Sequence, residues 1–143
     1  MALLIDTTAL IAVERSRGRD AAALGDALPG DPDEIVAIAA ITASELLVGV
    51  HRARTDAQRA RREAFVEAML VRIPVVPFDL LCARTHARLA VSLAKAGVSI
   101  GVHDLQIAAT ALAHGFRVVT ANVNEFKRVP GLQVVGVRPF AGR

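Results

Sequence analysis

Acidic and amide residues recur in this chain where short apolar runs give way to helix starts: Asp6, Glu45, Asp104 and the pair Asn122/Glu125. In a parallel α/β sheet such turns share one edge, so these side chains are expected to converge in a cleft. Clustered oxygen donors suit hard divalent cations such as Mg²⁺ or Mn²⁺. Two carboxylates about 4 Å apart repel by about 4 kcal/mol at an effective dielectric of roughly 20. Such a group is tolerable when a proton or a cation neutralises part of it. The chemistry that follows is phosphodiester hydrolysis, in which a carboxylate-held ion lowers the pKa of a water, orients it in line and stabilises the leaving oxygen. Whether one ion or two would bind is left open by the sequence.

Each acid also has a plainer explanation. Asp6 could cap the first helix. Thr42-Ala43-Ser44-Glu45 has capping-box spacing, so Glu45 could reach back to the Thr42 amide. Asp104 could serve the helix dipole, a contribution of roughly 0.3–1 kcal/mol. Glu125 could be a solvated turn residue. Independent capping, however, does not require one shared edge, nor acids in place of Ser or Thr at each position.

The elements that must position these residues alternate between short strands and helices. Residues 2–5 read as a buried strand, followed by a helix to about Glu14. A short helix is expected over 20–28 and a turn over Pro29-Gly30-Asp31-Pro32. Residues 35–41 form the second strand, followed by a helix to about Ala53 and a charged helix over 56–71. A third strand at 75–77 precedes a helix from 80 to 96, stopped by Gly97. A helix runs from His103-Asp104 to His114, stopped by Gly115. Residues 116–120 make the fourth strand, 121–126 a polar turn and 134–137 a fifth strand. This pattern indicates one α/β domain over residues 1–143, with a central parallel sheet of four to five strands covered on both faces. With strand 1 central, strands 2 and 3 lie to one side and strands 4 and 5 to the other. The switch point then falls beside Asp6 and Asn122, where ligands of open α/β sheets bind.

Bulk properties narrow the class. The 143 residues include no Trp, no Tyr and five Phe, so the core must be mainly aliphatic. The single cysteine, Cys82, excludes a disulfide framework and a zinc site built from cysteines, and reads as a small core residue. Net charge is +3 and the sequence pI about 10.0, compatible with a polyanion partner. No apolar run reaches the roughly 20 residues of a membrane helix, and no signal peptide is visible, so a soluble, cytoplasmic protein with no membrane partner is expected.

Four segments in order resemble the PIN-domain ribonucleases, in particular the VapC toxins of bacterial type II toxin–antitoxin modules. They are Leu4-Ile5-Asp6-Thr7-Thr8; Ile41-Thr42-Ala43-Ser44-Glu45-Leu46; Gly101-Val102-His103-Asp104-Leu105-Gln106-Ile107-Ala108-Ala109-Thr110-Ala111; and Val119-Thr120-Ala121-Asn122-Val123-Asn124-Glu125-Phe126, continuing to Leu132. The resemblance implies the PIN α/β/α sandwich. It matches Asp6 and Asp104 to the main metal-binding aspartates and Glu45 to the acid on the helix after strand 2. Asn122 stands where some members have Asp, and Glu125 matches the acid just before the Phe, so either could give the fourth contact. Thr7 and Thr120 match polar positions that orient waters or carboxylates, and Thr8 replaces a more usual Ser. The family implies Mg²⁺- or Mn²⁺-dependent endonucleolytic cleavage of RNA, such as tRNA or rRNA. It also implies a homodimer and a cognate VapB-type antitoxin that blocks the groove.

Around this set, Arg52 and Arg54, with Arg59, Arg61 and Arg62, form a basic stretch that could line an RNA path or a solvated helix face. Lys127 and Arg128 lie nearer the expected cleft. His103 could be taken for a general base, although a metal-bound hydroxide would do that work. His86 and His114 have no metal-ligand spacing to another His and read as packing or surface residues. Glu14 is a secondary cleft candidate. Leu46-Leu47-x-x-Val50 and the apolar positions of 65–70 could face a dimer partner or the core. Competing functions are a PIN-like nuclease acting on DNA, a phosphatase of another α/β family, and a non-catalytic RNA- or protein-binding domain. The Asp-x-Asp that aspartyl-phosphate phosphatases usually carry is replaced here by Asp6-Thr7-Thr8.

Overall fold

The computed structural model describes residues 2–17 and 33–137, so the helix expected over 20–28 and the turn at 29–32 lie outside the described residues. The strands are β1 (Ala2–Ile5), β2 (Ile35–Ala39), β3 (Val75–Val76), β4 (Arg117–Thr120) and β5 (Val134–Gly136). The helices are α1 (Thr7–Arg17), α2 (Ala40–His51), α3 (Asp56–Arg72), α4 (Leu80–Lys95), α5 (Val102–His114) and the short α6 (Val123–Phe126). All four strand pairings are parallel, and the order is β3-β2-β1-β4-β5. This is the expected order with β1 at the centre, and it sets the switch point between β1 and β4.

Period-2 alternation along the strands feeds two cores. Leu3, Ile5, Ile38 and Val119 point to one face, where they pack against Leu10 and Val13 of α1, Leu46 and Val50 of α2, and Phe65 and Met69 of α3. Leu4, Ala37, Ala39 and Val118 point to the other face, against Leu89 of α4 and Ile107, Ala108 and Ala111 of α5. Both faces are covered, which is why these strands carry almost no polar residues. Leu46, Val50 and Phe65 are thus spent in the core, and this packing replaces the dimer-face alternative for them.

Three local departures from the sequence expectation have physical causes. The second strand ends at Ala39 and α2 begins at Ala40, without a side-chain cap. Thr42 and Glu45 therefore lie inside the helix, and the capping box does not form. Asp104 follows no strand, because it sits in the first turn of α5 after an irregular segment that leaves α4. The polar turn at 121–126 contains the single helical turn α6, anchored by the fully buried Phe126. At the end of α4, the Val98 N–H donates to the Leu93 carbonyl (2.9 Å) and the Gly97 N–H to the Ala94 carbonyl (3.1 Å). This double closure requires the left-handed φ of 71° that Gly97 supplies.

Phe126 holds α6 to the second core, so Phe126→Ala is expected to destabilise the chain by about 3–5 kcal/mol. Urea denaturation should show this as a lower midpoint at unchanged slope, and a loss below about 1 kcal/mol would mean that Phe126 is not the anchor.

Candidate active site

Asp6 is the residue at which β1 stops. Its backbone N–H still donates to the Val119 carbonyl (2.9 Å), extending the β1–β4 ladder by one step. The residue is only 1% exposed. Its Oδ1 accepts the Ala9 N–H at 2.9 Å, which makes Asp6 the cap of α1 as well as a cleft carboxylate. The Thr8 hydroxyl lies 2.8 Å from Oδ1 and 3.0 Å from Oδ2. The Thr120 hydroxyl donates to Oδ2 at 2.6 Å and accepts the Asn122 N–H at 2.8 Å. Burial pushes the Asp6 carboxyl above its usual range; the bonds from Thr120, Ala9 and Thr8 pull it back in part, and the charge of Glu45 adds to the rise.

Glu45 projects from the second turn of α2. It accepts the Thr7 hydroxyl on Oε1 (2.8 Å), and its Oε2 lies 3.4 Å from His103 Nδ1. Asp104 and Glu125 form a second group. Glu125 Oε1 accepts the Gly101 N–H (2.9 Å) and Oε2 accepts the Asn122 amide (2.7 Å). The Gly101 bond is the main reason the Glu125 carboxyl falls below its ordinary value, with Asp104, Asn122 and Arg128 helping. Asp104 moves the other way, to about 7, through burial first, then its hydrogen bond and repulsion with Glu125, then the charges of Asp6 and Glu45. Within this pair the proton is therefore favoured on Asp104 and the charge on Glu125.

The sequence-predicted acids meet at the C-terminal edge of β1 and β4, as two groups rather than one knot. Among the described residues, the one set of three candidate metal-donor atoms within 4.8 Å of one another lies elsewhere, on Asp79, Cys82 and His114. The cleft nevertheless fits a divalent ion. Its donors are all oxygen, burial together with the neighbouring acids raises the Asp104 carboxyl to about 7, and Arg128 brings a positive charge near Glu125.

Other expected residues divide in the same way. Arg128 reaches the Ser99 carbonyl (2.7 Å) beside the Glu125 end of the cleft, and Lys127 is exposed next to it. Arg52 and Arg54 follow the far end of α2, with Arg52 roughly 10 Å along the axis beyond Glu45. Glu14 lines a separate cavity of about 380 Å³ with Leu46, Arg62 and Phe65. His86 packs edge-on against Phe78. Two contacts carried little sequence signal: the Gly101 backbone donor, which depends on the path of a loop, and the approach of His103 to Glu45 across two helices.

The raised Asp104 carboxyl sets a sign for stability. Between pH 3.8 and about 7 the folded, metal-free chain holds a proton that the unfolded chain releases, so stability is lost as pH rises through that window. Asp104→Asn is expected to remove this slope and, at pH about 8, to be about 1–2 kcal/mol more stable than wild type, after discounting for its partly exposed position. Added Mn²⁺ should stabilise wild type more than the variant. Thermal melts in EDTA at pH about 5 and about 8 check this, and a variant that melts lower at the higher pH would contradict the repulsion account.

The sequence matches the PIN domain over residues 3–132. It is 37% identical to Ribonuclease VapC1 of Rickettsia felis over 139 residues, 96% of this chain and 97% of that protein. It is 33% identical to the tRNA(fMet)-specific endonuclease VapC of Salmonella typhimurium over 97 residues, 68% of this chain and 71% of that protein. The fold superposes on VapBC-1 from nontypeable Haemophilus influenzae with a TM-score of 0.79 at 26% identity, covering 95% of this chain and 98% of that one. The match to the family model and to a relative along nearly its full length shows that the chain belongs to the PIN-domain family and, within it, to the VapC ribonucleases.

Proposed function

We propose that this chain is the toxin of a type II toxin–antitoxin module, a single PIN domain over residues 1–143 that cleaves RNA endonucleolytically with Mg²⁺ or Mn²⁺ in the cytoplasm. The observation that carries the reading is the convergence of Asp6, Glu45, Asp104 and Glu125 at the switch point of the sheet. No helix of the described residues is long and apolar enough to cross a membrane.

Asp6 and Asp104 would hold the ion, with Glu45 and Glu125 completing the oxygen set directly or through water. A bound divalent ion supplies a water of lowered pKa and charge stabilisation at the phosphate. The chain's own residues do the positioning. Thr8 and Thr120 fix both Asp6 oxygens, and Thr7 fixes one Glu45 oxygen. The Gly101 N–H and the Asn122 amide hold Glu125 in its anionic form. Asp104 retains a proton in the metal-free cleft and would release it when a cation binds. Lys127 and Arg128 provide positive charge at the rim for RNA phosphates, with Arg52 and Arg54 further along the path. The Haemophilus relative was solved as a VapBC complex. A VapB-type antitoxin is accordingly the expected protein partner here, together with a second copy of the chain in a homodimer.

Purified, antitoxin-free protein should cut total RNA into discrete fragments with Mg²⁺ or Mn²⁺ but not with EDTA. Asp6→Ala and Asp104→Ala are each expected to lower the rate by at least about 100-fold, the scale lost with one electrostatic catalytic contact. The Salmonella relative's name makes initiator tRNA the first defined substrate to offer. Binding without cleavage by a folded, metal-loaded protein would overturn the nuclease reading, and cleavage of DNA in preference to RNA would reassign its substrate.

A further inference from the structure

A second cluster of donors lies at the other end of α5, ten residues beyond Asp104 and so roughly 15 Å along the helix axis. Asp79 caps α4, its Oδ1 accepting the Cys82 N–H at 3.0 Å. Its Oδ2 faces His114, whose Nε2 lies 3.8 Å away. That separation is too long for a hydrogen bond. It is close to the roughly 3.3–3.7 Å edge of a tetrahedron with arms of about 2.0–2.3 Å. Cys82 is fully buried; its Sγ lies 3.7 Å from the Pro77 carbonyl and also interacts with the Asp79 and Thr110 side chains. His114 Nε2 is buried without a hydrogen-bond partner. One donor atom from each of the three residues lies within 4.8 Å of the others.

We propose that Asp79, Cys82 and His114 form a binding site for a borderline-soft divalent cation of the Zn²⁺ class, separate from the oxygen-lined cleft. A helix cap explains Asp79 Oδ1 but requires neither a thiol nor an imidazole. Thiolate and imidazole select Zn²⁺ over Mg²⁺, whereas the acids at the other end of α5 have the opposite preference. Charge balances within the site: a carboxylate and a thiolate neutralise the dication, the Cys82 proton leaves to solvent, and neutral His114 coordinates through Nε2. Burial keeps the Cys82 thiol protonated without metal, while the Cys82 backbone bond keeps Asp79 anionic. The Asp79 side chain is 44% exposed, so the fourth position opens to water. The bound ion would tie the start of α4 to the end of the helix that carries Asp104.

The test titrates the full, metal-free chain with Co²⁺, following the near-ultraviolet thiolate-to-cobalt charge-transfer band, and then displaces Co²⁺ with Zn²⁺. The expected result is one equivalent with a thiolate band, retained in Asp6→Asn and in excess Mg²⁺. Cys82→Ala should lose the band. His114→Gln should weaken Zn²⁺ binding by more than about 100-fold, beyond the roughly 10–100-fold cost of losing a supporting hydrogen-bond partner. Absence of the band in wild type, or a His114→Gln protein that binds Zn²⁺ as tightly as wild type, overturns the proposal. Should Cys82→Ala melt far below wild type without metal, the His114→Gln affinity decides alone.

Discussion

The constraint on which this structure turns is negative charge gathered at one sheet edge and only partly compensated by the protein. Four carboxylates from four separate stretches of chain influence one another, and one of them holds its proton to about pH 7. Burial and like charge together raise that carboxyl, and both oppose folding of the metal-free chain above its pKa. The chain can tolerate this because the supports are fixed by other interactions. Asp6 is held by the β1–β4 ladder and by three donors. Asp104 rides on a helix whose inner face is buried against the sheet.

Small side chains make that second support effective. Ala108, Ala109 and Ala111 are fully buried on α5, in the core that also holds Leu4 of β1 and Val118 of β4. Short side chains bring a helix axis nearer the sheet and leave few rotamers to shift. The first turn of α5 is therefore held at a set distance from the end of β1. Gly101, immediately before that turn, brings its backbone N–H within 2.9 Å of Glu125. A Cβ there would lie 3.5 Å from Asp104 and 3.6 Å from Glu125, ordinary contact distances. The backbone donor, rather than the lack of a side chain, is what the site uses.

Much of this was legible in the sequence because the signals were local and strong. Strand order followed from short apolar runs separated by helices, and Asp6 stood at an unmistakable strand end. Glu45 was harder to place: its capping-box spacing is real, but the helix starts at Ala40, before the box, because the strand gives out at Ala39. The Thr42 hydroxyl is left buried without a partner as a result. Asp104 was assigned to the right cleft but not to the right kind of junction, since a helix pair, not a strand, delivers it. His114 was read as a packing residue because spacing to another His was the only criterion at hand. Its neighbours Asp79 and Cys82 are more than thirty residues away in sequence and meet it only when α4 packs on α5.

The helix α5 then joins two sites of opposite chemical character. Its N-terminus carries the equivalent of roughly +0.5 charge and its C-terminus the equivalent of roughly −0.5. At the first turn this field favours the Asp104 anion by about 0.3–1 kcal/mol, less than burial and the surrounding acids together disfavour it. The dipole therefore cannot keep Asp104 ionised alone, which agrees with a carboxyl raised to about 7 rather than lowered. At the last turn the same field favours positive charge, where His114 presents a buried nitrogen without a hydrogen-bond partner. The helix thus contributes a bias at both ends but neutralises neither. At the Asp104 end, the remaining charge must be met by something the chain does not itself supply.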